Sequence, residues 1–275
     1  MRIDSVFKKS QIPLGYIEPH AQLLSIPDDD ELLYKVMSVE NLLNSIKNSY
    51  LHFNRVDDYK DFPGADLNDG RQLPKDQLVN DKIKFEKKPD FSVKNYYDQS
   101  RSRTYACCFS LKNSSFIWEN YANNNVKGKV GIVFKFGMLR TLLNETFRSG
   151  NAALEYNGSR CAQIFSINYG IIEYIEWNSH QLNTESLPNP IMYTFMKDKE
   201  NFSEENEFRI SLSALGIGRF QLNGNEMEFP GSLQLSFDLR RAIGDGTIHE
   251  ILYAPGSDTE FIKAELHKLK IRPYR

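Results

Sequence analysis

Over residues 207–213 polar and apolar side chains alternate without a break: Glu207, Phe208, Arg209, Ile210, Ser211, Leu212, Ser213. A period of two fits a β-strand with one buried face and cannot be laid on one side of a helix. The pattern therefore predicts a half-buried strand whose polar side carries Glu207 and Arg209. Glu205 joins them on that side if the strand reaches two residues further back. Residues 199–204, Lys-Glu-Asn-Phe-Ser-Glu, read as a solvated acidic turn feeding the strand. A Glu-x-Glu-x-Arg ladder on one face is a place where a fold can hold a carboxylate next to a ligand.

The same periodicity organises the rest of the chain. Residues 32–37 read as a strand, Ser38 as a helix N-cap, and Val39, Leu42, Leu43 and Ile46 repeat at helical spacing. A second strand follows at 50–54. Residues 57–103 are Asp-rich, marked by Gly and Pro and mixed in sign, and read as a variable insertion or lid, with a polar helix over 91–103. Residues 104–110 form a compact buried strand, and Asn113, Ser114 and Ser115 can cap a helix holding Ile117, Trp118, Tyr121 and Ala122. The nearly all-apolar run 130–136 predicts a central strand. A helix over 138–146, strands over 162–169 and 171–177, and a helix over 192–199 come next. Asn223-Gly224-Asn225 marks a hairpin within 220–229. Strands at 233–237 and 248–253 and a helix over 258–269 close the chain, and residues 1–30 read as a Pro-punctuated lead-in arm. The sum is a single α+β domain of 275 residues, with mixed, mostly antiparallel sheets and flanking helices.

Composition narrows the function classes. With 40% apolar and 25% charged residues the chain reads as an ordinary soluble protein. A net charge of −2 argues against capture of nucleic acid by bulk charge, while leaving a local basic patch open. No apolar run approaches the length of a membrane span, and residues 1–12 lack the apolar stretch of a signal peptide. Three cysteines, two of them adjacent at Cys107 and Cys108, have no metal-ligand spacing and point to reduced, buried thiols in a cytoplasmic protein.

Each candidate residue has a plain reading beside the chemical one. Glu205, Glu207 and Arg209 fit a cross-strand ion pair on an outer face as well as a ligand site. Tyr34 and Lys35 on the first strand fit a ring at the core rim, or a ring and a cation lining a cleft. Trp118 and Tyr121 fit core packing, or an aromatic platform for a base. Asp57, Asp58 and Asp61 fit turn chemistry better than a divalent-ion cluster. Ser110 has no G-x-S-x-G context, and no phosphate-binding loop or dinucleotide fingerprint is present.

Three blocks of residues, in order, resemble the bacterial and phage family called domain of unknown function 2971. The first is Leu33-Tyr34-Lys35, Asn41-Leu42-Leu43 and Tyr50-Leu51-His52-Phe53-Asn54 with Asp57 and Asp61. The second is Cys108-Phe109-Ser110, Trp118-Glu119-Asn120-Tyr121-Ala122 and Lys127-Gly128-Lys129-Val130-Gly131-Ile132-Val133-Phe134. The third is Lys197 and Lys199 ahead of Glu204-Glu205-Asn206-Glu207-Phe208-Arg209-Ile210. The resemblance spans roughly residues 32 to 270, although the compact turn the family has after its second strand is spread out here over residues 54–63. That family implies no reaction. The element order is also similar to the ADP-ribosyltransferase layout. That likeness implies NAD as cosubstrate, Tyr34, Lys35, Ser110, Arg209, Trp118 and Tyr121 around it, and Glu207 with Glu205 as catalytic carboxylates. It implies a macromolecular target and a role as a toxin or phage-defence effector, with no metal and no membrane involvement. A non-enzymatic module binding protein or nucleic acid is the alternative. A metal-dependent nuclease is a third reading, requiring two or more of Asp57, Asp58, Asp61 and Glu207 to converge on a shared ion.

Overall fold

The computed structural model describes residues 24–59, 64–123, 126–148, 153–161, 163, 165–182, 188–215 and 218–271. Strand β1 (Leu32–Ser38) leads through helix α1 (Val39–Asn48) to β2 (Tyr50–Arg55). Ser38 Oγ accepts the Asn41 amide at 3.1 Å, so the expected N-cap forms. Ser49, left-handed at φ 54°, stops the helix. The excursion that follows carries α2 (Pro74–Asn80), a short hairpin of β3 (Lys84–Phe85) and β4 (Lys88–Ser92), and α3 (Val93–Arg101). Next come β5 (Thr104–Ser110), α4 (Ser115–Asn120), β6 (Lys129–Lys135), α5 (Phe136–Arg148), β7 (Leu154–Tyr156) and β8 (Ser159–Arg160). Strands β9 (Phe165–Ile171) and β10 (Glu173–Ile175) precede α6 (Ile191–Thr194), β11 (Met196–Asp198) and α7 (Lys199–Phe202). After a 3-10 turn at Ser203–Glu205 the chain enters β12 (Glu207–Ala214). The hairpin β13 (Phe220–Leu222) and β14 (Asn225–Met227), β15 (Ser232–Ser236), α8 (Leu239–Gly244), β16 (Ile248–Tyr253) and α9 (Thr259–Lys268) complete the order. The β13–β14 turn has positive φ at both Asn223 and Gly224, the geometry an Asn-Gly pair favours.

The α+β class holds: ten strands form one sheet whose pairings are antiparallel, and β10–β11 form a separate parallel pair. The sheet forks at β5. One edge of β5 pairs with β12 along its whole length. The other edge is shared, with β2 meeting it at Ala106 and Tyr105 and β1 only at Ser110. Between them the two strands splay apart, and the Lys35 ammonium enters the gap. It donates to the Cys108 carbonyl at 2.9 Å and lies 5.1 Å from the centre of the Phe109 ring. A side chain thus satisfies a backbone acceptor that the missing strand would have served.

The two faces of the sheet are chemically unlike. On one, Leu33, Phe109, Phe134, Phe208, Ile210 and Leu212 pack with apolar residues of α1, α5, α8 and α9 in the main core. On the other, β12 presents Glu207, Arg209 and Ser211, and these are buried too. The strand is therefore buried on both faces, not half-buried, because Asp69 of the excursion after β2, with Tyr174, Thr194 and Lys197, meets its polar side. That covering layer has its own core of Leu73, Val93, Tyr97, Ile175, Trp177, Tyr193 and Met196.

Other expectations need correcting. The helix expected over 192–199 stops at Thr194, because Met196–Asp198 take the open edge of β10 as a strand. Glu205 lies outside β12, in the 3-10 turn, and the left-handed Asn206 (φ 44°) turns the chain into the strand. Residues 1–23 of the expected arm, together with Asp61, lie outside the described residues; of the rest of the arm, Leu24 is buried and Ser25 bridges to Ile171.

Replacing Lys35 with Met keeps the aliphatic stem but orphans the Cys108 carbonyl. Urea unfolding should show a loss of about 1–3 kcal/mol; an unchanged midpoint would mean that water serves the gap equally well.

Candidate functional site

Several of the residues singled out from the sequence stand on the polar face of the sheet. Tyr34 opposes Ser110 across β1 and β5, and Ser110 opposes Glu207 across β5 and β12, so the three stand in one row. Directly opposed residues point to the same side of a sheet. Trp118 joins this face from α4: a Cβ added at Gly131 of β6 would come within 2.8 Å of its ring, so only glycine lets the indole lie this close. Tyr121 caps α4 and is 39% exposed, yet its hydroxyl reaches 2.8 Å to Glu205 Oε1. Lys35 does not belong to the group. Alternation sends it to the opposite face, where it fills the fork.

Beneath this row runs a chain of buried charges. Lys197 Nζ lies 2.5 Å from Glu205 Oε2 and 2.7 Å from Glu207 Oε2. Arg209 Nε donates to Glu207 Oε1 at 2.7 Å. The far end of the guanidinium makes a two-pronged pair with Asp69, at 2.7 and 2.9 Å, and Nη1 also donates to the Thr194 carbonyl at 2.7 Å. Arg209 is fully buried and its fork is spent on this chain, so it orients Glu207 and has no free edge for a ligand phosphate. Tyr174 accepts the Glu207 amide through its hydroxyl at 2.8 Å, fixing the start of the strand. The Ser110 hydroxyl sits 2.7 Å from the Glu205 carbonyl and 2.9 Å from that of Lys112, and it accepts the Lys112 amide. Ser110 thus locks the turn that aims Glu205.

The two glutamates are pushed apart electrostatically. Burial alone would raise the Glu207 carboxyl, but Arg209 and then Lys197 outweigh it and hold the group well below the usual carboxylate range. For Glu205 burial dominates and raises the carboxyl. Lys197 pulls it down, and the negative charge on Glu207 pushes it up again. Burial works against the Lys197 ammonium, yet Glu207 and Glu205 raise it well above its ordinary value. Burial likewise opposes the Arg209 charge, and Asp69 with Glu207 overcomes it. Three carboxylates face two cations, and the one furthest from Arg209 is the one that resists ionisation. Such a pair, one fixed anion beside one carboxyl able to take or give a proton, is an acid–base arrangement. Asp66, next to Asp69, is raised to about 6, by burial first and by Asp69 second; its Oδ2 has no hydrogen-bond partner among the described residues.

Asp69 was not among the residues singled out from the sequence. In Asn68-Asp69-Gly70 it reads as turn chemistry, and nothing local marks a partner 140 positions away. Lys197 stood only within a motif block, and Thr194 and Tyr174 carried no signal. The aspartates weighed for a metal ion are placed differently: Asp57 lies 2.5 Å and Asp58 3.7 Å from Arg55, apart from the Glu207 chain, and Asp61 lies outside the described residues. Among the described residues no group of three or more His, Cys, Asp or Glu is arranged to hold a metal ion, and no helix is long and apolar enough to cross a membrane. The three cysteines are free, Cys107 in the core and Cys108 on the Glu207 side of β5.

Asp69→Asn should strip Arg209 of its bidentate partner and leave a buried charge short of compensation. A loss of about 3–5 kcal/mol in urea unfolding at neutral pH is expected; a loss near zero would show that Glu207 alone compensates Arg209.

No family model matches the chain, and neither a curated protein nor a solved structure matches it, so the resemblance to the domain of unknown function 2971 family rests on its motifs.

Proposed function

We propose that the protein is an ADP-ribosyltransferase-like enzyme that breaks the nicotinamide–ribose bond of NAD and transfers ADP-ribose to a macromolecule, as a toxin or phage-defence effector would. The observation that carries this reading is the row of Tyr34, Ser110 and Glu207 across three strands, on the face that also holds Trp118 and Tyr121. In this reading the C–N bond breaks with its electron pair leaving on neutral nicotinamide, and positive charge develops on the ribose. Glu207, kept anionic by Arg209 and Lys197, stabilises that charge. Glu205, whose carboxyl is raised, takes the proton as the acceptor's nucleophile bonds to the ribose carbon. Tyr34, Trp118 and Tyr121 offer aromatic faces to the cosubstrate's rings. Tyr121 bonds to Glu205, so the approach to both carboxylates runs past its hydroxyl.

One observation favours a second reading. Both oxygens of Glu207 are already paired and its side chain is only 4% exposed. A carboxylate so enclosed also suits a purely structural brace in a non-enzymatic module that binds protein or nucleic acid.

Labelled NAD incubated with host lysate separates the two. Transfer of label by the wild type, at least about 100-fold weaker in Glu207→Gln and in Glu205→Gln when each variant is assayed at a temperature where circular dichroism shows it folded, is the expected result. Equal transfer by wild type and Glu207→Gln would remove Glu207 from the mechanism. Absence of NAD binding at about millimolar concentration would sink the enzymatic reading.

A further inference from the structure

A second polar site lies in the excursion between β2 and β5, outside the row just described. A cavity of about 360 Å³ is lined by Asp57, Arg71, Gln77, Lys94, Asp98 and Arg101. That volume falls at the lower end of small-molecule sites. Three of the six are cations and two are carboxylates, but the carboxylates already have partners. Asp57 is 2.5 Å from Arg55, and Asp98 is held by Lys94 at 2.9 Å and by Gln72 at 2.9 Å. Arg71 and Arg101 are different. Among the described residues neither has a carboxylate within 4.0 Å.

Arg101 is also built in place. Its Nε donates to the Asp69 carbonyl at 2.7 Å and its Nη2 to the Leu67 carbonyl at 2.9 Å, which fixes one edge of the guanidinium against the 66–71 loop. That loop is hydrogen-bonded within itself. Asp66 accepts the Asn68 amide, Arg71 N donates to the Asn68 carbonyl at 2.7 Å, and Gly70 takes a positive φ of 68° where an added Cβ would meet Val56 at 2.9 Å. Arg71 reaches back only to Asn68 Oδ1, at 3.4 Å. Burial lowers the Arg101 guanidinium from its ordinary value; Asp57 and Asp69 raise it, and the like charge on Arg71 lowers it again. A single unpaired arginine on a surface is ordinary. Two that face one cavity, one of them clamped by carbonyls, leave donors convergent and unspent.

We propose that this cavity binds a phosphoryl group of a small molecule, a mono- or diphosphate, through the free edges of Arg71 and Arg101. Guanidinium forks match paired phosphate oxygens, and two forks suit a pyrophosphate best. Lys94 lines the cavity too, with its charge shared with Asp98. The assignment is independent of the NAD reading, because the cavity and the Glu207 row have no lining residue in common.

Isothermal titration of the full chain with inorganic phosphate, pyrophosphate and AMP, at constant ionic strength set with chloride, tests it. Pyrophosphate should bind saturably, and phosphate or AMP more weakly. Arg71→Gln should weaken pyrophosphate about tenfold without moving the unliganded thermal midpoint, since Arg71 supports no other element. Arg101→Lys, which keeps the charge and loses the fork, should weaken it as well, and Glu207→Gln should leave it unchanged. Absence of saturable binding of any of the three up to about 10 mM, or equal affinity in Arg71→Gln, would overturn the proposal.

Discussion

Arg209 is the hinge on which the structure turns. It sits on a central strand, wholly buried, with its charge answered by Glu207 on one side and by Asp69 on the other. A guanidinium taken out of water costs several kcal/mol unless its partners are well placed. The excursion after β2 must therefore dock, and dock in one register, for the sheet to be stable. Asp69 brings the 66–71 loop to β12, and through its carbonyl it also holds Arg101 at the second cavity. One buried pair thus joins the sheet, its covering layer and both candidate sites.

That pair also sets the chemistry available on the polar face. Arg209 and then Lys197 overcome burial to hold Glu207 as an anion, whereas burial first, and then the charge on Glu207, raise Glu205 against the pull of Lys197. The asymmetry needs no unusual residue. It follows from burial, which Arg209 and Lys197 together overcome at Glu207 and Lys197 alone does not overcome at Glu205. Tyr121 covers the protonatable end, and Ser110 fixes the turn that presents it. In the proposed reaction, charges fixed in this way would meet a developing cation without reorganising.

Much of the sheet was legible from alternation. Strands β1, β2, β5, β6, β12, β15 and β16 fall where alternation or short apolar runs place them, and Ser38 and Asn223-Gly224 mark a cap and a turn by local chemistry alone. What alternation cannot distinguish is a polar face turned to water from one covered by a layer that brings opposite charges. Glu207, Arg209 and Ser211 look the same in both cases, so the strand reads as half-buried. Asp69 hides in a turn-forming triplet. The stretch 192–199 reads as one helix because short strands and short helices share its composition, and the edge of β10 decides between them. Among the candidate site residues, Tyr34, Ser110 and Glu207 stand in one row, and Lys35 does not, because successive side chains of a strand point to opposite faces.

The central claim is that two adjacent buried glutamates hold their protons very differently. Carbon-13 NMR titration of glutamate side-chain carboxyls, with Glu205→Gln and Glu207→Gln to assign the pair, measures this directly. One resonance, Glu207, should remain in its ionised position down to the acid edge of the folded state, while Glu205 should titrate above the ordinary glutamate value of about 4.3. Two resonances titrating together near that ordinary value would contradict the account.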